Sequence, residues 1–193
     1  MSFHSEIRST AEIATPADSY DRTIKAVHWL TLLLITAVYI VVWASHAVGS
    51  REQSALLVQL HRSIGVTIFA LTLFRLVWRW NARIPPLPAD LRRFQKLTAR
   101  VTEYALYILL MLQPALGLLN TNARGRLVDF YFLGELPPVI GPGKVLAKQA
   151  MAAHELIAYL IVTLVALHAT AALFHHFVRR DNVLRAILPS RRR

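Results

Sequence analysis

The chain has no cysteine. That absence excludes disulfides, thiolate metal sites, iron–sulfur clusters and covalent attachment of a c-type haem. Charge is scarce too: 17% of the residues are charged, against about 25% in an ordinary soluble domain. Acidic side chains are the scarcest, 11 Asp and Glu against 22 Lys and Arg, which leaves a net charge of +11. The sequence also lacks internal repeats, low-complexity tracts and short alternating strands, so nothing points to a membrane β-barrel. What fills the chain is apolar: 55% of the residues are hydrophobic and the mean hydropathy is +0.42. Such a composition suits lipid as the solvent.

Four apolar stretches, over residues 26–44, 56–80, 98–120 and 150–178, are each long enough to cross roughly 30 Å of hydrocarbon as a helix. The first has a spanning length rather than that of a signal-peptide core, and no cleavable signal peptide is expected. The segment from His46 to Ala55 is a short connection. The next, Asn81 to Leu97, holds Pro85, Pro86 and Pro88 and cannot be one helix. The longest, Thr121 to Gln149, is broken up by Gly134, Pro137, Pro138, Gly141, Pro142 and Gly143. The expected organisation is a polar tail over residues 1–22, a four-helix unit over 23–180 and a basic tail over 181–193.

The basic residues show why the chain is so positive. Arg79, Arg83, Arg92, Arg93, Lys96 and Arg100 gather around the second connection. Arg179, Arg180, Arg185, Arg191, Arg192 and Arg193 gather at the C-terminus, while the first connection holds only Arg51. Lys and Arg favour the cytoplasmic side of a membrane, so the second connection and both termini are expected there. Most of the +11 then follows from topology, and nucleic-acid binding is not expected. The third connection departs from the rule. It lies outside, yet carries Arg124, Arg126, Lys144 and Lys148 against Asp129 and Glu135. The fold class is an all-α membrane protein, a bundle of four transmembrane helices with cytoplasmic termini.

Ionisable groups inside a bilayer are rare and usually functional. His28 lies near the cytoplasmic start of the first span. His61 and His154 lie near the outer starts of the second and fourth, and His168 lies deeper in the fourth, toward the cytoplasm. His154 and His168 are fourteen residues apart, which leaves them about 40° apart around the helix and about 21 Å apart along it. That separation suits two haems stacked across one membrane, each iron taking two axial nitrogens. Depth then pairs His61 with His154 around an outer haem and His28 with His168 around an inner one. Histidines serving as interhelical hydrogen-bond glue, or as a relay moving protons or a metal ion, are the competing explanation. Gly65, Ala158 and Ala172 stand one turn from their histidines and would leave room for a flat porphyrin.

Arg75 shares a helix face with His61 and could pair with a propionate of the inner haem; otherwise it is an arginine snorkelling to headgroups. His175 lies two turns beyond His168 and could hydrogen-bond a quinone headgroup, or be interfacial like His176 and His46. His4 lies in the tail.

Several stretches resemble the bacterial cytochrome b561 family. They are Ile24-Lys25-Ala26-Val27-His28-Trp29-Leu30, the segment His61 to Arg75 with Gly65, and Gln113-Pro114-Ala115-Leu116-Gly117. The C-terminal pattern of His154-Glu155, His168-Ala169, Ala172-Leu173, His175-His176 and Asp181-Asn182 is the most specific. The resemblance runs from about Arg22 to Pro189 and is closest to the superoxide oxidases of that family. It implies a multi-pass protein of the bacterial inner membrane with two haems b on His28, His61, His154 and His168. It also implies oxidation of superoxide outside, reduction of ubiquinone, and a quinone pocket near the inner haem, placed at His175 and Trp29. Arg124 and Arg126, with Lys144 and Lys148, would then steer superoxide, a small anion, to the outer mouth. An obligate protein partner is neither required nor excluded. The alternative is an electron-transfer subunit of a larger respiratory dehydrogenase or hydrogenase.

Overall fold

A computed structural model describes residues 19–189. The tail before Ser19, with His4, and Arg191, Arg192 and Arg193 lie outside the described residues.

Four long helices dominate. Helix α1 spans Arg22–Ala47, capped by Asp21, whose carboxylate accepts from the Ile24 amide at 2.8 Å. Helix α2 spans Arg51–Asn81 behind the cap Ser50. Helix α3 spans Arg93–Ala123 and α4 spans Lys144–Phe174. All four are long and apolar enough to cross a membrane, and the chain is a multi-pass membrane protein. After α4 the helix widens into a π-helical turn, His175–Arg179, closed by Arg180 in the left-handed region at φ 57°. A short helix α5, Val183–Ile187, follows.

Each helix starts before its apolar stretch, and α1 to α3 also run past its end. The cap Ser50 starts α2 sooner than the expected connection allowed, and α3 starts soon after the last proline, Pro88. Gly143 is the last helix breaker before α4. The third connection is therefore shorter than expected, and it carries an antiparallel pair of strands, β1 (Val128–Asp129) and β2 (Glu135–Leu136). Two residues between them, Tyr131 and Phe132, have positive φ of 51° and 62°. Side chains hold this hairpin down on α2. Ser63 accepts from the Tyr131 amide at 3.0 Å, Thr67 meets the Tyr131 hydroxyl at 3.0 Å, and Gln59 donates to the Asp129 carbonyl.

The distribution of polarity is that of a protein in lipid. Large apolar side chains such as Leu33, Ile40, Trp43 and Leu167 face outward. Small polar ones, Ser63, Thr72 and Thr121, are buried. Those hydroxyls bond back to helix carbonyls, so none of these three donors is left unmet in the apolar phase.

Both ends of the described chain meet at one end of the bundle. The Tyr20 amide donates to the Ala186 carbonyl at 3.1 Å, and Trp29 Nε1 donates to the Ile187 carbonyl at 2.9 Å. In the bundle, α1 packs on α2, α2 on α3 and α3 on α4. The α4 backbone stays further from α1 and α2. Side chains bridge that gap, including Tyr39, whose hydroxyl donates to the Ala158 carbonyl at 2.6 Å.

Candidate functional site

The gap between α4 and its neighbours is where the four histidines meet, in twos. At the end of the bundle away from the termini (the outer end), His61 of α2 faces His154 of α4, ring centroids 6.1 Å apart and planes at 73°. Nearer the termini, His28 of α1 faces His168 of α4 at 6.4 Å and 62°. Among the described residues, no three His, Asp or Glu side chains gather as a cage for a bare metal ion would need.

The outer pair is held through its second ring nitrogens. His154 Nδ1 lies 2.9 Å from the Gln113 carbonyl oxygen, and His61 Nδ1 lies 3.2 Å from that of Val38. A carbonyl only accepts, so each Nδ1 carries the proton and donates. Each Nε2 keeps its lone pair for an electrophile. Local sequence explains the seat of His154. Pro114 lies inside α3 directly after Gln113 and lacks the amide that would bond the Leu110 carbonyl, which loosens the helix at this turn. Gly117 lets α4 come close, since a Cβ there would stand 3.2 Å from His154 Cε1. Gly65, by contrast, has nothing within 4 Å of a would-be Cβ and borders open space.

At the inner pair Arg75 turns inward. Its guanidinium lies 5.2 Å from the Tyr107 ring centroid, and its charge acts on both His28 and His168. Its Nε is buried without a hydrogen-bond partner, as is the Tyr107 hydroxyl. These are donors at a buried site that lack acceptors. Tyr107 carried no signal in the sequence beyond being a polar aromatic within a span.

His175 and Trp29 sit at the terminal end of the bundle, each with one polar atom engaged. Trp29 Nε1 is taken by the Ile187 carbonyl, and its ring stands edge-on to His28 at 5.5 Å. His175 Nδ1 lies 2.5 Å from Asp181 Oδ2 within the π-helical turn and its exit. Arg179 joins the same carboxylate at 3.3 Å and reaches Asp90 at 2.5 Å. Burial works against the Asp181 charge, but hydrogen bonds from His175, the Val183 amide and Arg179 outweigh it and hold its pKa below the ordinary carboxylate value. The pairing of Asp181 with His175 is a feature that sequence reasoning missed, although both belong to the motif quoted above.

At the outer end, Arg124, Arg126, Lys144 and Lys148 line a single hollow of about 920 Å³ between the end of α3 and the start of α4. Glu155, next to His154, lines it too. His46 is exposed at the outer end of α1.

Comparison with known proteins bears on the family of the chain. The chain is 28% identical to cytochrome b561 homolog 1 of Escherichia coli (strain K12) over 90% of its length and 98% of the relative's. It is 29% identical to cytochrome b561 homolog 2 of the same organism over 84% and 87%. It is 28% identical to the probable superoxide oxidase CybB of Yersinia pestis over 86% and 93%. The family model described as prokaryotic cytochrome b561 matches residues 19–190. The chain belongs to the prokaryotic cytochrome b561 family, membrane proteins of electron transfer that carry b-type haem.

Proposed function

We propose that this chain binds two haems b and carries electrons across the bacterial inner membrane, oxidising superoxide outside and reducing ubiquinone, with both termini in the cytoplasm. The meeting of four histidines as two pairs at two depths is the observation that carries the proposal. The pairs fit the group. An iron held by two imidazoles, at about 2 Å from each bonding nitrogen, keeps the ring centroids about 6 Å apart, and the observed separations are 6.1 and 6.4 Å. The space beside Gly65 and the unmatched donor on Arg75 fit a flat, carboxylate-bearing ligand.

His61 and His154 would hold the outer haem, and His28 and His168 the inner one. Haem b supplies reversible one-electron transfer without making or breaking a substrate bond. The carbonyls of Val38 and Gln113 orient the outer imidazoles and raise their donor strength. Arg75, over Tyr107, is placed to pair with a propionate of the inner haem. Arg124, Arg126, Lys144 and Lys148 form a positive mouth at the outer end, which concentrates a small anion such as superoxide. His175, oriented by Asp181, keeps Nε2 free to meet a quinone headgroup near the inner pair. The Yersinia pestis relative, named a probable superoxide oxidase, supports this choice of donor.

The test is an absorption spectrum with a haem count. Two haems per chain are expected. His28→Ala or His168→Ala should remove one, and His61→Ala or His154→Ala the other. Purified protein should then be reduced rapidly by a superoxide source and should reduce a soluble quinone with no partner protein present. A colourless preparation would refute the haem assignment. Reduction only in the presence of a partner protein would favour a subunit of a larger dehydrogenase.

A further inference from the structure

The outer hollow is larger and more positive than a diatomic anion needs. Its volume is about 920 Å³, and Arg124, Arg126, Lys144 and Lys148 all line it. A fifth cation, Arg62 on α2, stands close enough for the charges of Arg124 and Arg126 to act on it. Little opposes them. Asp129 accepts from the Gly134 amide at 3.3 Å, and Glu155 is the one carboxylate in the lining. Among the described residues, none of the four lining cations lies within ion-pair distance of a carboxylate; Arg124 donates instead to the Asn120 side-chain oxygen at 2.9 Å. Like charges gathered around one hollow give it a positive potential that draws an anion.

The backbone adds to the same demand. Helix α4 starts at the hollow, behind Gly143, with no side-chain cap and no acidic residue in its first turn. Its leading amides and the positive end of its dipole are thus left for an anion. Apart from Gly143 and Glu155, the rest of the lining is apolar: Ala123, Pro142, Ala147, Met151 and Ala152. Cations and free amides over an apolar floor, where two spanning helices reach the membrane surface, match a headgroup that continues into glycerol and acyl chains.

We infer that this hollow binds the phosphate of an anionic phospholipid in the outer leaflet. The lipid accounts for the outer connection's departure from the positive-inside pattern. It needs the four cations but not the redox function proposed above. The volume and the apolar floor favour a lipid over free phosphate, which would use neither.

The full chain, purified in neutral detergent and stripped of lipid, should be titrated with phosphatidylglycerol, phosphatidylcholine or inorganic phosphate and followed by native mass spectrometry and thermal unfolding. Phosphatidylglycerol should be retained in preference to phosphatidylcholine and should raise the unfolding temperature. The quadruple variant Arg124→Gln, Arg126→Gln, Lys144→Gln, Lys148→Gln should weaken its retention about tenfold or more. Should that variant lose its helical circular dichroism, Lys144→Gln with Lys148→Gln alone must still weaken retention. Lys144→Arg with Lys148→Arg should preserve it. Equal retention of the two lipids, or retention unchanged by the substitutions, overturns the site. Stabilisation by inorganic phosphate at the same concentration as the lipid overturns the lipid and leaves free phosphate as the occupant. None of these measurements contains superoxide or quinone, so their failure and the failure of the redox proposal are read separately.

Discussion

At the scale of single residues, two glycines make opposite demands. A Cβ at Gly117 would meet the His154 ring at 3.2 Å, and a Cβ at Gly65 would meet nothing within 4 Å. Gly117→Ala should push His154 off the Gln113 carbonyl and weaken the outer site. The expected outcome is a lowered haem count with the other haem intact, read from the spectrum. Gly65→Ala separates two possibilities. The protein alone has room for the methyl group, so an unaltered haem count would mean that no porphyrin lies against that turn. A reduced count, in a chain of normal helicity, is expected. Asp181 carries a pH dependence whose sign follows from its surroundings. Its folded pKa is depressed, so its contribution is complete above the ordinary carboxylate pKa and is lost as pH falls through the folded value. Acid below about pH 4 should therefore loosen residues 175–187, and Asp181→Asn should loosen them already at neutral pH. Hydrogen exchange of that segment would show both. The identities of the histidines and glycines were legible in the sequence. The partners Val38, Gln113 and Tyr107 were not, because a backbone carbonyl or one more apolar-looking tyrosine carries no signature of what packs against it.

The elements divide into two kinds of contact. Helices α1 to α3 pack in succession, and α3 holds α4, whereas α4 meets α1 and α2 through side chains. The Tyr39 hydroxyl on the Ala158 carbonyl is one such tie, at 2.6 Å. Tyr39→Phe should cost about 0.5–1.5 kcal/mol, nearer the lower figure in a lipid setting, read as a lowered unfolding temperature in detergent. Removal of haem is expected to act on the same seam. The two histidine pairs span the gap, so the haem-free chain should show faster hydrogen exchange along α4, with α2 and α3 less affected. Equal loosening of all four helices would mean that the pairs do not clamp a shared ligand. Four helices of spanning length were legible from their apolar runs. Their ends were not, because caps such as Ser50 and the stop at Gly143 extend a helix beyond its hydrophobic stretch.

The whole molecule is polarised in charge. Basic residues crowd both ends, but at the terminal end they are partly matched: Arg79 pairs with Glu103 at 2.7 Å and Arg179 with Asp90 and Asp181. At the outer end four of them share one hollow with a single carboxylate, Glu155. Removing two of them, as Arg124→Gln with Arg126→Gln, should slow reduction by superoxide and flatten its dependence on ionic strength. A stopped-flow series over salt concentration reads both quantities, and an unchanged rate would remove the steering proposal.

The sequence by itself determined the solvent of this protein, the number of its spans and the placing of the histidines in two layers. Those properties depend on composition and on the fixed rise and turn of a helix, which a linear pattern records. Only the tertiary structure decided which rings face each other, that Arg75 turns inward, and that four cations from two helix ends share one hollow. Those facts depend on the rotation of each helix about its axis and on how the outer connection folds back. Close packing between helices sets both, through small residues such as Gly117 and ties such as Tyr131 on Ser63, and no single segment carries that information.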